Sequence, residues 1–160
     1  MKKIYHFDSP REPYSADAAV VWCFDHRFHT GFSKCLKRLG MVNQDVIKVA
    51  GGAKCLASPA QEQDREFVLE QIRASKRLHA TKSVILMVHS DCGAYGGLER
   101  FGNDAAREAE HLEKELKAAA ECVRERVPGV SVAAYFVDFE GVWEVDLAAT
   151  EMAKANRSAT

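Results

Sequence analysis

Short apolar runs alternate with amphipathic stretches along most of the chain. The runs AAVVWCF at 18–24 and SVILMV at 83–88 are continuously apolar and rich in β-branched residues, which predicts strands buried on both faces. DVIKVAGG at 45–52 predicts a shorter strand that runs into glycines. The stretch VSVAAYFVDFEGVWEV at 130–145 predicts a fourth strand, a turn and a short antiparallel fifth strand.

The clearest helix is predicted at 104–126, where apolar residues repeat at intervals of three and four. Asp104 is its expected N-cap, and Pro128-Gly129 supplies the stop. Its apolar stripe consists of Leu112, Leu116, Ala119, Val123 and Val127. A short helix is predicted at 32–39, ending at a glycine. A longer one is predicted at 61–78, with one face formed by Val68, Ile72 and Ser75.

Strands that alternate with helices imply right-handed crossovers and a mostly parallel sheet. We therefore predict a three-layer α/β fold with strand order 2-1-3-4, an antiparallel fifth strand and helices on both faces. The chain contains no repeat or linker-like segment, so residues 1–160 are expected to form a single domain. Residues 1–17 are expected to be an irregular arm and residues 146–160 a C-terminal tail.

Composition narrows the functional classes. Charged residues make up 28% of the chain and its net charge is -1, which argues against a nucleic-acid-binding surface. No apolar segment follows the N-terminal lysines, so we expect no secretory signal, and the apolar runs are too short to span a membrane. Five cysteines without a CxxC pair indicate reduced thiols and a cytoplasmic location.

Thiol and imidazole side chains occur where two strands of the predicted sheet end. Cys23 lies at the end of the first strand, and His89 and Cys92 lie just past the third. In the order 2-1-3-4 these strands are neighbours at the switch point, where open α/β sheets form their sites. Two thiolates and one imidazole with a fourth position open make a catalytic zinc site. The pattern predicts Zn2+ bound by Cys23, His89 and Cys92.

Two charged residues follow the first of these cysteines. In extended backbone, alternate residues share a face, so Cys23, Asp25 and Arg27 are expected to point to one side. Asp25 can orient a zinc-bound water or occupy the fourth position itself. Arg27 can hold the carboxylate through a bidentate ion pair.

Each half of this pattern has a simpler interpretation when taken alone. A buried cysteine is often a small hydrophobic residue, and an Asp-Arg pair is often a structural ion pair. Cys35 and Cys122 are interpreted as packing residues. Cys55 follows the glycine turn and is interpreted either as a thiol near the site or as a loop thiol without function. His26 and His29 are either proton shuttles for a zinc-bound water or ordinary solvated or packed histidines.

The two motifs resemble those of the β-class carbonic anhydrases. Residues 23–27, CFDHR, resemble the CxDxR motif of that family, and residues 89–93, HSDCG, resemble its HxxCG motif. The stretch at 47–52 lies where the family has a glycine-containing strand end, and 135–145 resembles its closing hairpin. The similarity covers roughly residues 18–145, although only the two site motifs are specific.

The resemblance implies a zinc enzyme that hydrates carbon dioxide to bicarbonate. Cys23, His89 and Cys92 would bind zinc, and Asp25 and Arg27 would form a catalytic dyad that can also close the site when the aspartate binds the metal. Zinc hydroxide would attack carbon dioxide. The resemblance also implies a homodimer or higher homo-oligomer, with carbon dioxide and bicarbonate as small-molecule partners and neither nucleic acid nor membrane.

Several positions depart from the family pattern. Phe24 and His26 replace small serines, and Lys48, Val49 and Gly52 stand where the family has Arg, Asn and Asn. The segment before the first strand is short for an arm that embraces a partner subunit. Two alternatives to carbon dioxide hydration therefore stay open: a zinc hydrolase of carbonyl sulfide or carbon disulfide, and a zinc-binding protein without turnover.

Overall fold

A computed structural model describes residues 1–148, which form a five-stranded sheet flanked by helices. The strand order is β2-β1-β3-β4-β5, with β5 antiparallel to β4 and all other pairs parallel. The strands are β1 Ala18–Trp22, β2 Gln44–Lys48, β3 Ser83–His89, β4 Ser131–Val137 and β5 Val142–Glu144. The predicted fold class and strand order are confirmed.

The helices are α1 His29–Arg38, α2 Lys54–Ala57, α3 Glu62–His79 and α4 Ala105–Arg126. Asp104 caps α4 as predicted, because its side chain accepts from the backbone N–H groups of Ala106 and Arg107. Within residues 1–148, no helix is long and apolar enough to cross a bilayer.

Helices cover both faces of the sheet. The side chains of Val21 and Leu86 pack with α2, α3 and α4 on one face, and Trp22 packs with α1 on the other. The predicted stripe along α4 is buried in full: Leu112, Leu116, Ala119, Val123 and Val127. Burial of one leucine or valine side chain stabilises the folded state by about 1.5–3 kcal/mol. This core therefore fixes the strands whose ends carry the candidate site.

Some local predictions were wrong. The first strand ends at Trp22, and a 3-10 turn at His26–Phe28 replaces the extended backbone expected there. The predicted loop around Cys55 is the short helix α2, and a pair of 3-10 turns at 93–95 and 98–101 follows β3. Residues 1–17 contain no helix or strand. Most of the predicted tail, 149–160, lies outside the described residues.

A glycine pair lets the loop after β2 cross the ends of β1 and β3. Gly51 and Gly52 have φ values of 75° and 56°, a region that favours glycine. A Cβ atom on Gly52 would lie 2.3 Å from the Met87 carbonyl oxygen and 3.1 Å from the Cys23 nitrogen. Any larger residue at 52 would therefore push the loop away from Cys23.

Candidate metal centre

Cys23, His89 and Cys92 meet at the carboxyl end of the sheet. Because Val21 pairs with Leu86 in the parallel β1–β3 register, Cys23 and His89 leave the sheet at nearly the same level. Their ligand atoms and the Cys92 sulfur all lie within 4.8 Å of one another, and the three residues are buried. Among residues 1–148 this is the one group of three or more His, Cys, Asp or Glu side chains that could hold a metal ion.

The imidazole of His89 is oriented toward the two sulfurs. Its Nδ1–H donates to the Ser90 carbonyl oxygen at 2.8 Å, so Nε2 carries the free lone pair. Nε2 is buried without a hydrogen-bond partner. Phe28 and Trp22 pack against the ring, with centroids at 4.7 Å and 5.7 Å. The ring is therefore fixed in the tautomer and orientation of a metal ligand.

The two thiols face each other. Their sulfurs are 4.0 Å apart, and the contact with Cys92 lowers the pKa of Cys23. The same contact, together with burial, raises the pKa of Cys92. The first proton of the pair leaves readily, whereas the second is retained because its loss would place two thiolates side by side. A bound cation removes this repulsion, which makes the pair a cation site.

Asp25 and Arg27 form a bidentate ion pair beside these ligands. The guanidinium donates from Nε and Nη2 to Asp25 Oδ2 at 3.0 Å and 2.7 Å, and from Nε to Oδ1 at 3.1 Å. The Asp25 side chain also caps the 3-10 turn by accepting from the Arg27 backbone N–H at 2.9 Å. The turn therefore folds Arg27 back onto Asp25, an arrangement that the predicted extended backbone does not give.

Hydrogen bonds within this pair keep both side chains charged. Hydrogen bonds from Arg27 lower the pKa of Asp25 to about 2, and Asp25 raises the pKa of Arg27 in turn. Asp25 Oδ2 is 3.9 Å from His89 Nε2. An ionised carboxylate thus lies next to the free lone pair of the candidate ligand.

A second carboxylate, Asp91, holds the other side of the guanidinium. Arg27 Nη1 donates to Asp91 Oδ2 at 2.9 Å, and Nη2 donates to the Asp91 carbonyl oxygen at 3.0 Å. The Asp91 backbone N–H donates to Oε1 of Glu108, which is 1% exposed. Sequence reasoning assigned no role to either residue. The available signal was Glu108 itself, a charged residue on the apolar stripe of α4, four residues before Leu112.

Two of the candidate ligands, Cys23 and Cys92, line a cavity of about 490 Å3. Phe24, 63% exposed, and His26 line this cavity together with small residues. The His26 and His29 rings stack at 5.5 Å, and both side chains are exposed. The position of His26 at the cavity, with His29 stacked on it, is compatible with either interpretation, proton shuttle or ordinary solvated or packed histidine.

The remaining cysteines are not among the three candidate ligands. Cys35 on α1, Cys55 on α2 and Cys122 on α4 are half-buried free thiols, and burial raises the pKa of each. Thiols that resist ionisation are poor nucleophiles and ligands. Cys35 and Cys122 occupy helices as predicted.

The geometry of the three ligands fits zinc. Two sulfurs bound tetrahedrally at about 2.3 Å would be about 3.8 Å apart, close to the 4.0 Å observed. The buried Nε2 atom without a partner completes a Cys2His donor set, and the side facing Asp25 and the cavity stays open. Closed structural zinc sites have four protein ligands, whereas catalytic sites keep one position free.

A protein-family model described as "Putative carbonic anhydrase" matches residues 15–148. The chain belongs to this family. Two relatives are themselves named as uncharacterized proteins. The one from Rickettsia bellii is 26% identical over 133 residues, covering 81% of this chain and 80% of its own. The one from Rickettsia conorii is 25% identical, covering 81% and 71%.

Solved structures share the fold at low identity. The carbonic anhydrase of Streptococcus mutans superposes with a TM-score of 0.59 at 19% identity, covering 87% of this chain and 88% of that one. A tetrameric β-carbonic anhydrase of Sordaria macrospora has a TM-score of 0.56 at 16% identity, covering 82% and 81%. The apo form of a carbon disulfide hydrolase has a TM-score of 0.55 at 17% identity, covering 84% and 80%. These likenesses establish the β-carbonic anhydrase fold.

Proposed function

We propose that this protein is a zinc-dependent carbonic anhydrase that converts carbon dioxide and water reversibly to bicarbonate and a proton. The observation that carries the proposal is an open Cys2His donor set with an ionised carboxylate fixed beside its free side. Zinc sites without turnover have no need for a carboxylate held by a guanidinium at that position. Membership of the carbonic anhydrase family supports the same chemistry.

Cys23, His89 and Cys92 would hold the metal. A bound zinc ion supplies a hydroxide nucleophile near neutral pH because it lowers the pKa of a coordinated water to about 7. Ser90 fixes the tautomer of His89, and Gly52 allows the loop after β2 to pack against Cys23. These contacts preserve the spacing of the donor atoms and leave the cavity side open to a small linear substrate.

Asp25 would orient the attacking group. Since Arg27 keeps the carboxylate ionised, Asp25 accepts hydrogen bonds and does not donate them at neutral pH. Oδ2 lies 3.9 Å from His89 Nε2, so the Asp25 carboxylate is close enough to the open side to accept a hydrogen bond from the nucleophile's O–H, which would direct an oxygen lone pair toward carbon dioxide. Addition of a hydroxide oxygen to the carbon of carbon dioxide would break one C–O π bond and give bicarbonate, and the water that then takes its place would lose its proton to buffer.

Metal analysis and stopped-flow hydration on one zinc-replete preparation test the proposal. We expect about one zinc per chain, with fast hydration between about pH 6.5 and 9. Cys23→Ser should lose both zinc and hydration. A zinc-loaded protein with hydration no faster than buffer would reject the proposed activity.

A second candidate is hydrolysis of carbon disulfide or carbonyl sulfide by the same centre. The observation that favours it is the exposed Phe24 at a cavity otherwise lined by Asp25, His26 and small residues, because this ring suits an apolar, sulfur-containing linear molecule. The fold shared with a carbon disulfide hydrolase is consistent with it. Sulfide release from either substrate, faster than hydration of carbon dioxide, would replace the first candidate. Zinc without turnover of any of these substrates would point to a binding protein.

We also propose that residues 1–160 form one domain and that the protein acts in the cytoplasm as a homodimer or higher homo-oligomer. Reduced thiols at the centre favour a reducing compartment. The tetrameric proteins of Sordaria macrospora support assembly. Light scattering of the zinc-loaded protein tests the oligomer.

A further inference from the structure

Arg27 is held from two directions. Asp25 binds Nε and Nη2 on one side, while the carboxylate and carbonyl oxygens of Asp91 bind Nη1 and Nη2 on the other. The rings of Phe28 and Phe139 lie 5.7 Å and 5.5 Å from the guanidinium carbon. An arginine bound only to Asp25 would follow every motion of that side chain. The contacts with Asp91 tie it instead to the turn after β3.

Asp91 makes these contacts from an unusual backbone conformation. Its φ is 51°, in the left-handed region that non-glycine residues seldom occupy. Two hydrogen bonds keep it there: its N–H donates to Glu108 Oε1 at 2.8 Å, and its Oδ1 accepts from the Leu98 N–H at 3.1 Å. Both contacts orient the residue so that Oδ2 and the carbonyl oxygen face Arg27.

Glu108 is the buried end of this chain of contacts. It lies in the first turn of α4, on the face that packs against the sheet, and it is 1% exposed. A carboxyl group at such a position is costly unless a specific contact requires it. The contact that it makes is with the backbone N–H of Asp91.

We propose that Asp91 is a positioning residue that fixes Arg27 from the side opposite Asp25, and that Glu108 fixes Asp91. Three acidic residues from different parts of the chain and Arg27 thereby form one line of contacts, Glu108–Asp91–Arg27–Asp25. This line ends at the open side of the candidate metal centre. The functional meaning of this line rests on the proposed hydration activity. Its geometry does not, so the two can be tested separately.

Arginine side-chain NMR of the zinc-loaded, 15N-labelled protein measures the geometry directly. The Arg27 Nε–H signal, assigned by its disappearance in Arg27→Lys, should be protected from solvent exchange in the wild type. Asp91→Asn should accelerate its exchange about tenfold and lower hydration kcat/KM about tenfold at unchanged zinc content, a typical effect of removing an outer contact. Glu99→Gln, which removes an exposed acid from the same loop region, should change neither quantity.

Variants of Glu108 separate positioning from folding. Glu108→Gln keeps a carbonyl oxygen that can accept from the Asp91 N–H, so protection of Arg27 and hydration should both persist. Glu108→Leu suits the apolar face of α4 but cannot accept, so both should fall as in Asp91→Asn. If Asp91→Asn does not fold, the two Glu108 variants decide the question by themselves.

The outcomes are distinct. Unchanged Arg27 exchange in Asp91→Asn, or the same loss in Glu108→Gln and Glu108→Leu, would overturn the positioning role. Faster Arg27 exchange in Asp91→Asn and Glu108→Leu supports it even if the wild type hydrates no carbon dioxide. In that case the proposed function fails while the line of contacts stands.

Discussion

Two polar clusters lie at opposite ends of the sheet, and they differ in how their hydrogen bonds are satisfied. At the amino end, Asp45 accepts from the Ser75 hydroxyl at 2.6 Å, His79 Nδ1 at 2.8 Å and the Tyr14 hydroxyl at 2.7 Å. Thr81 adds a 2.6 Å contact with Ser75. At the carboxyl end, His89 Nε2 has no partner, and two thiols face each other across 4.0 Å.

The difference separates a structural cluster from a candidate functional one. Around Asp45 the carboxylate has donors on both oxygens, so the network joins the arm, β2 and α3 and needs nothing further. At the candidate metal centre, a buried nitrogen without a hydrogen-bond partner and a pair of facing thiols are left for a ligand to satisfy. Substitutions in the cluster around Asp45 should therefore lower the free energy of unfolding. Substitutions in the cluster at the carboxyl end should lower metal binding or turnover.

The largest effect is expected from removing a ligand. Cys92→Ser should lose bound zinc and reduce hydration about a thousandfold or more, because the hydroxide source is lost with the metal. Metal analysis and stopped-flow hydration measure both. Ser75→Ala, the matched change at the amino end, should keep zinc and activity. Equal losses in both variants would mean that the two clusters are not functionally separate.

The next effect concerns the carboxylate beside the ligands. Asp25→Asn should retain zinc but lower kcat/KM about a hundredfold, since a neutral amide orients the nucleophile poorly. Asp45→Asn is the control, because it makes the same chemical change at the other end and should leave kcat/KM unaltered. A zinc-loaded Asp25→Asn variant with wild-type hydration would remove Asp25 from the mechanism.

Sequence patterns predicted the fold well and the site in part. Continuous apolar runs and a regular stripe depend on local sequence, so the strands and the core face of α4 followed from them. Cys23, His89 and Cys92 could be assigned because thiols and imidazole have specific metal chemistry and strand ends have predictable positions. These predictions required only that each residue could be placed at the carboxyl end of a particular strand.

What sequence reasoning missed depends on contacts between distant segments. Glu108 meets Asp91 only because α4 packs its first turn beneath the loop after β3, a placement that periodicity does not define. No sequence pattern indicated a role for His79, yet its side chain is hydrogen-bonded to Asp45 across the β2–α3 interface. Arg27 was paired correctly with Asp25 but for the wrong reason, because a 3-10 turn and not a strand joins them.

A moderate effect on stability is expected at the amino end. Asp45→Asn places an amide N–H2 among three donors, so it should lower the free energy of unfolding by about 2 kcal/mol. Urea unfolding monitored by circular dichroism measures this. Asp25→Asn, partly exposed and outside the core, should lower it less. The reverse ranking would show that the carboxyl-end pair holds the fold together.

The stabilisation by Asp45 should depend on pH. Burial raises its pKa, but the hydrogen bonds from Ser75, Tyr14 and His79 together outweigh burial and lower the pKa below its ordinary value. The unfolded chain then binds a proton at higher pH than the folded one. Asp45 therefore stabilises the fold above its ordinary pKa of about 3.9, and this contribution is lost as pH falls through the lower folded value.

The difference in unfolding free energy between wild type and Asp45→Asn should accordingly narrow below about pH 4. Urea titrations from neutral pH downward measure it. Glu99→Gln, which changes an exposed acid, should show no such narrowing. A difference that stays constant down to the acid transition would mean that the Asp45 carboxylate is not stabilised by its charge.

The smallest effect concerns the hydrogen bond from Tyr14 to Asp45, which is the tether between the N-terminal arm and the sheet. Tyr14 donates to Asp45 and lies 4.2 Å from the His79 ring between centroids. Tyr14→Phe keeps the ring contact and removes only the hydroxyl, so global unfolding should scarcely change, while trypsin cleavage after Arg11 should accelerate a few-fold through local opening. Hydration should stay at the wild-type rate, since the tether lies at the end of the sheet opposite the metal centre. A change in hydration would show that the arm reaches beyond the cluster it contacts and influences the carboxyl end.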